Sequence, residues 1–195
     1  AESWDGRVLK DLLAGREQII SVCALPLYHI FAFTVNMMLS MHIGGKNILI
    51  PNPRDLKATL KELSKQRFHT FPAVNTLFNG LAHHPDFDSV DWSHLKVSVG
   101  GGMAVQSAVA KLWLEKTGCP ICEGYGLSET SPIVSCNPVA AKAFTGTIGL
   151  PVPSTSVILV DDDGFPVHGQ SGEIAVKGPQ VMAGYWQRPD ETAKV

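Results

Sequence analysis

Short β-branched segments and longer amphipathic segments alternate along this chain, and glycine or proline marks each change of period. Ile19 to Ala24, Asn47 to Ile50, Phe68 to Pro72, Lys96 to Val99 and Pro120 to Cys122 are apolar runs of strand length. Between them, Leu56, Leu60 and Leu63, then Val74, Leu77, Phe78 and Leu81, then Val105, Val109, Leu112 and Trp113 recur at helical spacing. Asp55 is placed to cap the first of these helices, and Gly118 to close the last. Strands joined by helical connections of ten or more residues predict an α/β fold with a mainly parallel sheet flanked by helices. In such sheets ligands collect at the carboxyl ends of the strands.

The stretch from Ile19 to Gly45 contains no Asp, Glu, Lys or Arg. A bilayer span needs about 20 apolar residues, so length alone permits one. Pro26, His29, Asn36, Ser40 and His42 interrupt the run, and a buried strand followed by a helix over Ile30 to Met41 accounts for it better. That helix, ended by Gly44-Gly45, is apolar nearly all round, which predicts that it is covered on most sides. No signal peptide is evident, and the polar first seventeen residues read as a helix or tail. His83 to Ser93 reads as a polar loop, with His83 and His84 as solvated loop histidines.

Sixteen basic against eighteen acidic residues, a net charge of −2 and the absence of a Lys/Arg cluster argue against a nucleic-acid partner. Cys119 and Cys122 have C-x-x-C spacing, but Pro120-Ile121 fills the gap inside an apolar strand and no second pair completes a zinc set. Cys23, Cys119, Cys122 and Cys136 are therefore read as structural thiols, which suits a cytoplasmic protein.

Three loops fall at carboxyl ends of the predicted strands: Leu25 to His29, Gly100-Gly101-Gly102, and the start of Glu123-Gly124-Tyr125-Gly126-Leu127-Ser128-Glu129-Thr130. The octapeptide reads as a strand running into a loop. By itself it is either a glycine-rich turn with a solvated carboxylate or one wall of a nucleotide site. After Gly149 the pattern changes to Thr155 to Val160, an Asp161-Asp162-Asp163-Gly164 turn, and a return through Gly172 to Val176, which predicts antiparallel strands. The division falls near Leu150, with an α/β unit over 1–150 and the start of a small β-barrel-like unit over 151–195.

Several of these segments together resemble the adenylate-forming enzymes: acyl-CoA synthetases, luciferases and peptide-synthetase adenylation domains. Leu25-Pro26-Leu27-Tyr28-His29, Gly100 to Met103, Gly124 to Thr130, Gly146-Thr147-Ile148-Gly149-Leu150-Pro151, Gly172-Glu173-Ile174 and Gly178 to Trp186 stand in the family's order. The likeness covers residues 18 to 195. It is strongest to bacterial long-chain fatty acid:CoA ligases, in Asn52-Pro53-Arg54-Asp55, Val74-Asn75-Thr76-Leu77-Phe78 and Leu150 to Thr155.

The resemblance implies activation of a fatty acid with ATP to acyl-AMP, followed by transfer of the acyl group to CoA. It implies Mg²⁺ held by Glu129 and a phosphate contact from Ser128, where the family usually has threonine. It places Gly100, Gly101, Gly102, Glu123, Gly124, Tyr125, Gly126 and Leu127 around the nucleotide, with Tyr125 against adenine. His29, Phe31 and Met103 fall on the acyl side; for His29 alone, a core histidine is the competing reading. The resemblance also places a phosphate loop with its lysine before residue 1 and a mobile lysine-bearing domain beyond Val195. On that expectation the chain is the middle of a larger enzyme and does not form acyl-adenylate alone. It allows peripheral contact of the parent enzyme with a membrane. Two other readings are an aryl, short-chain or amino-acid activating ligase and an inert binding module. Against amino acids, no aspartate occurs from Ile30 to Leu39; against a P-loop NTPase, no G-x-x-x-x-G-K-[ST] occurs.

Overall fold

The computed structural model describes residues 18–195, so the expected opening helix or tail lies outside the described residues. Seven strands form the larger sheet: β1 (Ile20–Cys23), β2 (Lys46–Leu49), β3 (Thr70–Ala73), β4 (Val97–Gly100), β5 (Ile121–Gly126), β6 (Ile133–Cys136) and β7 (Leu150–Pro151). Their order is β2-β1-β3-β4-β5-β6-β7. The first five are mutually parallel, β6 pairs antiparallel with β5, and β7 pairs antiparallel with β6. A separate antiparallel sheet holds β8 (Ser156–Val160), β9 (Pro166–Val167) and β10 (Glu173–Lys177). The turn at Asp161 is where the sequence puts it, with its carboxylate accepting from the Asp163 and Phe165 N–H groups.

The parallel strands are joined through helices. The first, α1, runs as α-helical Ile30–Ala32, π-helical Phe33–Met38 and α-helical Leu39–Ile43. The others are α2 (Leu56–Leu63), α3 (Asn75–Ala82) and α4 (Ser107–Thr117), with a short α5 (Pro189–Thr192) near the end. The caps follow the sequence. The Asp55 carboxylate accepts from the Ala58 N–H at 2.9 Å, and Gly44 and Gly118 end α1 and α4 in the left-handed conformation.

The core lies on one face of the sheet, where Val22, Ile48, Phe71 and Ala73 pack against α2, α3 and α4. Its centre is aromatic. Trp113 and Phe78 lie 4.7 Å apart edge to face, and Trp92 stacks on Phe87 at 4.6 Å. Phe87, Val90 and Trp92 come from the stretch expected as a polar loop, so that reading is corrected. Two 3₁₀ turns, Phe87–Ser89 and Trp92–His94, turn the apolar side chains inward and leave Asp86, Asp88 and Asp91 exposed.

The opposite face carries α1, and the expectation that this helix is covered on most sides also fails. Its buried residues are the small or polar Ala32, Asn36 and Ser40, one stripe four residues apart. Phe33, Met38 and Met41 are exposed. The sheet beneath presents Ser21, Thr70 and Pro72, and the gap there, lined also by Val35, Leu39, Ile43 and Val99, has a volume of about 10 Å³. That is room for about one water. Among the described residues no helix is long and apolar enough to cross a membrane.

Candidate functional site

The carboxyl ends of β1, β3, β4 and β5 bring the predicted loops to one edge. At β4 the chain leaves the sheet through Gly100, Gly101 and Gly102. Gly100 is still a strand residue, and a Cβ there would meet Val105 and Ile121 side chains at 2.5 and 2.9 Å. Its smallness is used for packing. Gly101 lies between two other predicted site residues: a Cβ on it would sit 3.0 Å from the Phe31 ring and 3.5 Å from the Gly124 carbonyl oxygen. Gly102, at φ 77°, holds the left-handed conformation that turns the loop. Met103 beyond it is exposed.

The octapeptide differs from its expected form. Glu123, Gly124, Tyr125 and Gly126 continue β5 rather than starting a loop, because β6 returns to pair with them, Tyr125 opposite Ser135. The loop begins at Leu127, and Ser128–Thr130 form a 3₁₀ turn. At Gly126 a Cβ would collide with the Pro132 carbonyl, so only glycine lets the chain double back there. The Thr130 hydroxyl closes this turn, accepting from the Leu127 N–H at 2.9 Å and lying 2.6 Å from the Pro132 oxygen. Leu127 and Ser128 are exposed, and Tyr125 is half-buried.

Glu123 is buried, and its Oε1 accepts from the Val105 N–H at 3.0 Å. The Asn75 Oδ1 at the start of α3 accepts from the neighbouring Gln106 N–H at 2.9 Å. These two side chains clamp the far end of the glycine loop to β5 and α3. The buried Asn137 does the same for the other side of β5. Its N–H and its Nδ2 both donate to the Glu123 carbonyl, while its Oδ1 accepts from Thr145 and Thr147 hydroxyls.

Glu129 is half-exposed at the rim. Its Oε1 accepts from the Tyr185 hydroxyl at 2.8 Å, and its carbonyl accepts from the Met182 N–H at 2.8 Å. The Tyr185 hydroxyl holds the Glu129 carboxyl below the usual carboxylate range, and the same bond raises the Tyr185 phenol. No group of three His, Cys, Asp or Glu side chains that could hold a metal occurs among the described residues. The half-exposed Glu129 carboxylate is nevertheless a hard oxygen donor of the type that would suit Mg²⁺.

His29 is exposed, which removes the reading of a core histidine. It caps α1, its Nδ1 accepting from the Phe31 N–H at 3.2 Å. The four cysteines are free thiols. Cys23, Cys119 and Cys122 are buried and Cys136 is partly so. Burial raises all four, with Cys122 pushed up to about 12.

Asn75, Val105, Asn137 and Tyr185 were not among the expected site residues. Asn75 and Tyr185 stand inside motifs that carry the resemblance, and that position was their only signal. The backbone N–H of Val105 leaves no trace in a sequence.

Phe31, Gly101 and Gly124 meet at the carboxyl edge of the parallel sheet and Glu129 lies on the turn after β5, at the edge where α/β sheets of this kind take ligands. The profile of the family described as AMP-binding enzyme matches residues 4–186, and the chain belongs to that family. It is 54% identical over 185 residues to a long-chain-fatty-acid–CoA ligase of Yersinia pestis, covering 94% of this chain and 33% of that protein. To the ligase of the same name from Bacillus subtilis it is 37% identical, over 95% of this chain and 33% of that one. The crystal structure of ATP-bound MatB from Rhodopseudomonas palustris superposes with a TM-score of 0.81 at 27% identity, over 91% of this chain and 35% of that one. The chain thus spans about a third of the length of the relatives it matches.

Proposed function

We propose that the protein is a long-chain fatty acid:CoA ligase that forms acyl-AMP from a fatty acid and ATP and then the CoA thioester. The observation that carries this is the position of Glu129, at the rim of a glycine-lined strand edge beside Phe31, in a chain more than half identical to a ligase of that name. In the first step a carboxylate oxygen attacks the α-phosphorus of ATP, the new P–O bond forms, and the bond to the bridging oxygen breaks to release pyrophosphate. In the second the CoA sulfur attacks the acyl carbon, AMP leaves, and the thiol proton passes to a base.

The difficulty of the first step is the approach of an anion to a polyanion. Mg²⁺, when bound, neutralises phosphate charge, and Glu129 is the residue that would hold it. Ser128, exposed one residue before it, offers a hydroxyl to a phosphate oxygen. Tyr125 presents an aromatic face to adenine. Gly102 and Gly124 let the nucleotide approach the main chain, with Leu127 at their side. Gly100, Gly126 and Glu123 act indirectly, by shaping the strand ends and fixing the 101–106 loop. His29, Phe31 and Met103 face the acyl group. The gap under α1 has room for about one water, so an acyl chain entering there requires α1 to move. The described residues up to 150 form the α/β unit of this site and 151–195 open a smaller β unit. The reading carries a cytoplasmic location with peripheral membrane contact.

The test uses the full-length gene product with ATP, Mg²⁺ and either palmitate, benzoate or an amino acid. Pyrophosphate release with palmitate, acyl-AMP of the matching mass and a thioester on adding CoA are expected. Glu129→Gln should lower pyrophosphate release by about 10²-fold or more. Release with benzoate but not palmitate would make it an aryl ligase, and no release with any acid would make it a binding module.

A further inference from the structure

Glu129 is held by a segment far away in the chain. Besides the Tyr185 hydroxyl on Oε1 and the Met182 N–H on its carbonyl, Gln180 Nε2 donates to the Ile133 carbonyl at 3.0 Å and to the Thr155 hydroxyl at 2.8 Å. Residues 180–185 are thereby seated against the turn that carries Glu129. Tyr185 is itself anchored, its N–H donating to Thr192 Oγ1 at 2.9 Å and its carbonyl accepting from the Arg188 N–H at 3.2 Å. An unrestrained glutamate at a half-exposed rim samples many rotamers, and fixing one costs conformational entropy. Here one oxygen is already committed to a phenol that is itself anchored.

We propose that Tyr185 is a positioning residue for Glu129, holding its carboxylate in one orientation before the metal arrives. The inference rests on the reading of Glu129 as the magnesium ligand. A hydrogen-bonded partner that orients a ligand in this way controls affinity for the metal without touching it. Because Tyr185 is 38% exposed, removing its hydroxyl opens no cavity and leaves packing intact.

The test compares Tyr185→Phe, Glu129→Gln and the unaltered full-length protein. Mn²⁺ affinity is read from the free-ion electron paramagnetic resonance signal with a non-hydrolysable ATP analogue present, and pyrophosphate release is followed against Mg²⁺ concentration. Tyr185→Phe should weaken Mn²⁺ binding at least about tenfold, with the lost rate recovered as Mg²⁺ is raised. Unchanged Mn²⁺ affinity in Tyr185→Phe, alongside a loss in Glu129→Gln, would overturn the positioning role and leave the metal ligand standing. Unchanged affinity in both variants would overturn both. A rate loss that magnesium does not restore, with a lowered melting temperature, would make Tyr185 merely structural.

Discussion

Glu123 is buried with no cationic partner among the described residues, one of its oxygens accepting from the Val105 N–H, in the strand whose next residue, Gly124, lies beside Gly101. The acceptor matters more than the charge. Replacing Glu123 by Ala leaves the buried Val105 N–H unpaired and should cost about 1–3 kcal/mol, whereas Gln retains an oxygen and should cost less than about 1 kcal/mol. Urea unfolding of the two variants checks this, and an equal loss in both would show that the bond to Val105 is not what Glu123 supplies. The same economy appears at Gly100 and Gly126, where neighbouring side chains or a carbonyl occupy the space a Cβ needs. Both glycines stand in motifs that carry the family resemblance, yet their requirement is steric and internal.

At the scale of the element, α1 is the unusual part. Its buried stripe is small and polar, and its polar attachment to the sheet centres on Asn36, whose carbonyl also accepts from Asn47 Nδ2 at 3.0 Å. Asn36 Nδ2 lies 3.0 Å from Ser21 Oγ, 3.1 Å from the Val22 carbonyl and 3.2 Å from Asn47 Oδ1, while Asn36 Oδ1 is buried without a partner among the described residues. The π-helical stretch carries Asn36 into that position. Leu at position 36 removes the donor and leaves those acceptors facing an apolar group, with an expected loss of about 2 kcal/mol. The loss should be local. Amide exchange should quicken in α1 and β2 while α4 and β4 keep their protection, and equal acceleration throughout would show that Asn36 supports the whole core.

The whole molecule is an aromatic and aliphatic core on one face of the sheet, with four thiols set in or near it. Each thiol titrates higher in the folded chain than in an unfolded one, so the folded state holds its protons more tightly. The stability this gives is fully present below the ordinary thiol value, about 8.5, and is lost as pH rises toward the folded value, about 12 for Cys122. Urea midpoints measured from pH 8 to 11 should therefore decline, and Cys122→Ala should flatten the decline. An unchanged slope in that variant would mean the thiol at 122 is not the group responsible.

The strand and helix alternation, the caps at Asp55, Gly44 and Gly118 and the placement of glycine loops at strand ends are legible in the sequence because each depends on neighbours a few positions away. Periodicity reports local burial, and capping chemistry is local. The inward turn of Phe87, Val90 and Trp92 was not legible, since polar neighbours mask three apolar residues that no regular period connects. Nor was the exposed side of α1, because an apolar helix does not say which of its faces the sheet accepts.

The residues alone determined the fold class and the family motifs, and with them the candidates Glu129, Tyr125 and Gly101. Tertiary structure decided that Glu123 binds the Val105 N–H, that Gly101 sits between Phe31 and Gly124, and that Tyr185 reaches Glu129 across 56 positions. The physical reason is common to all three. Such partners are chosen by how strands stack side by side and where the chain returns, and a contact between distant residues carries no local sequence signal until the sheet has formed.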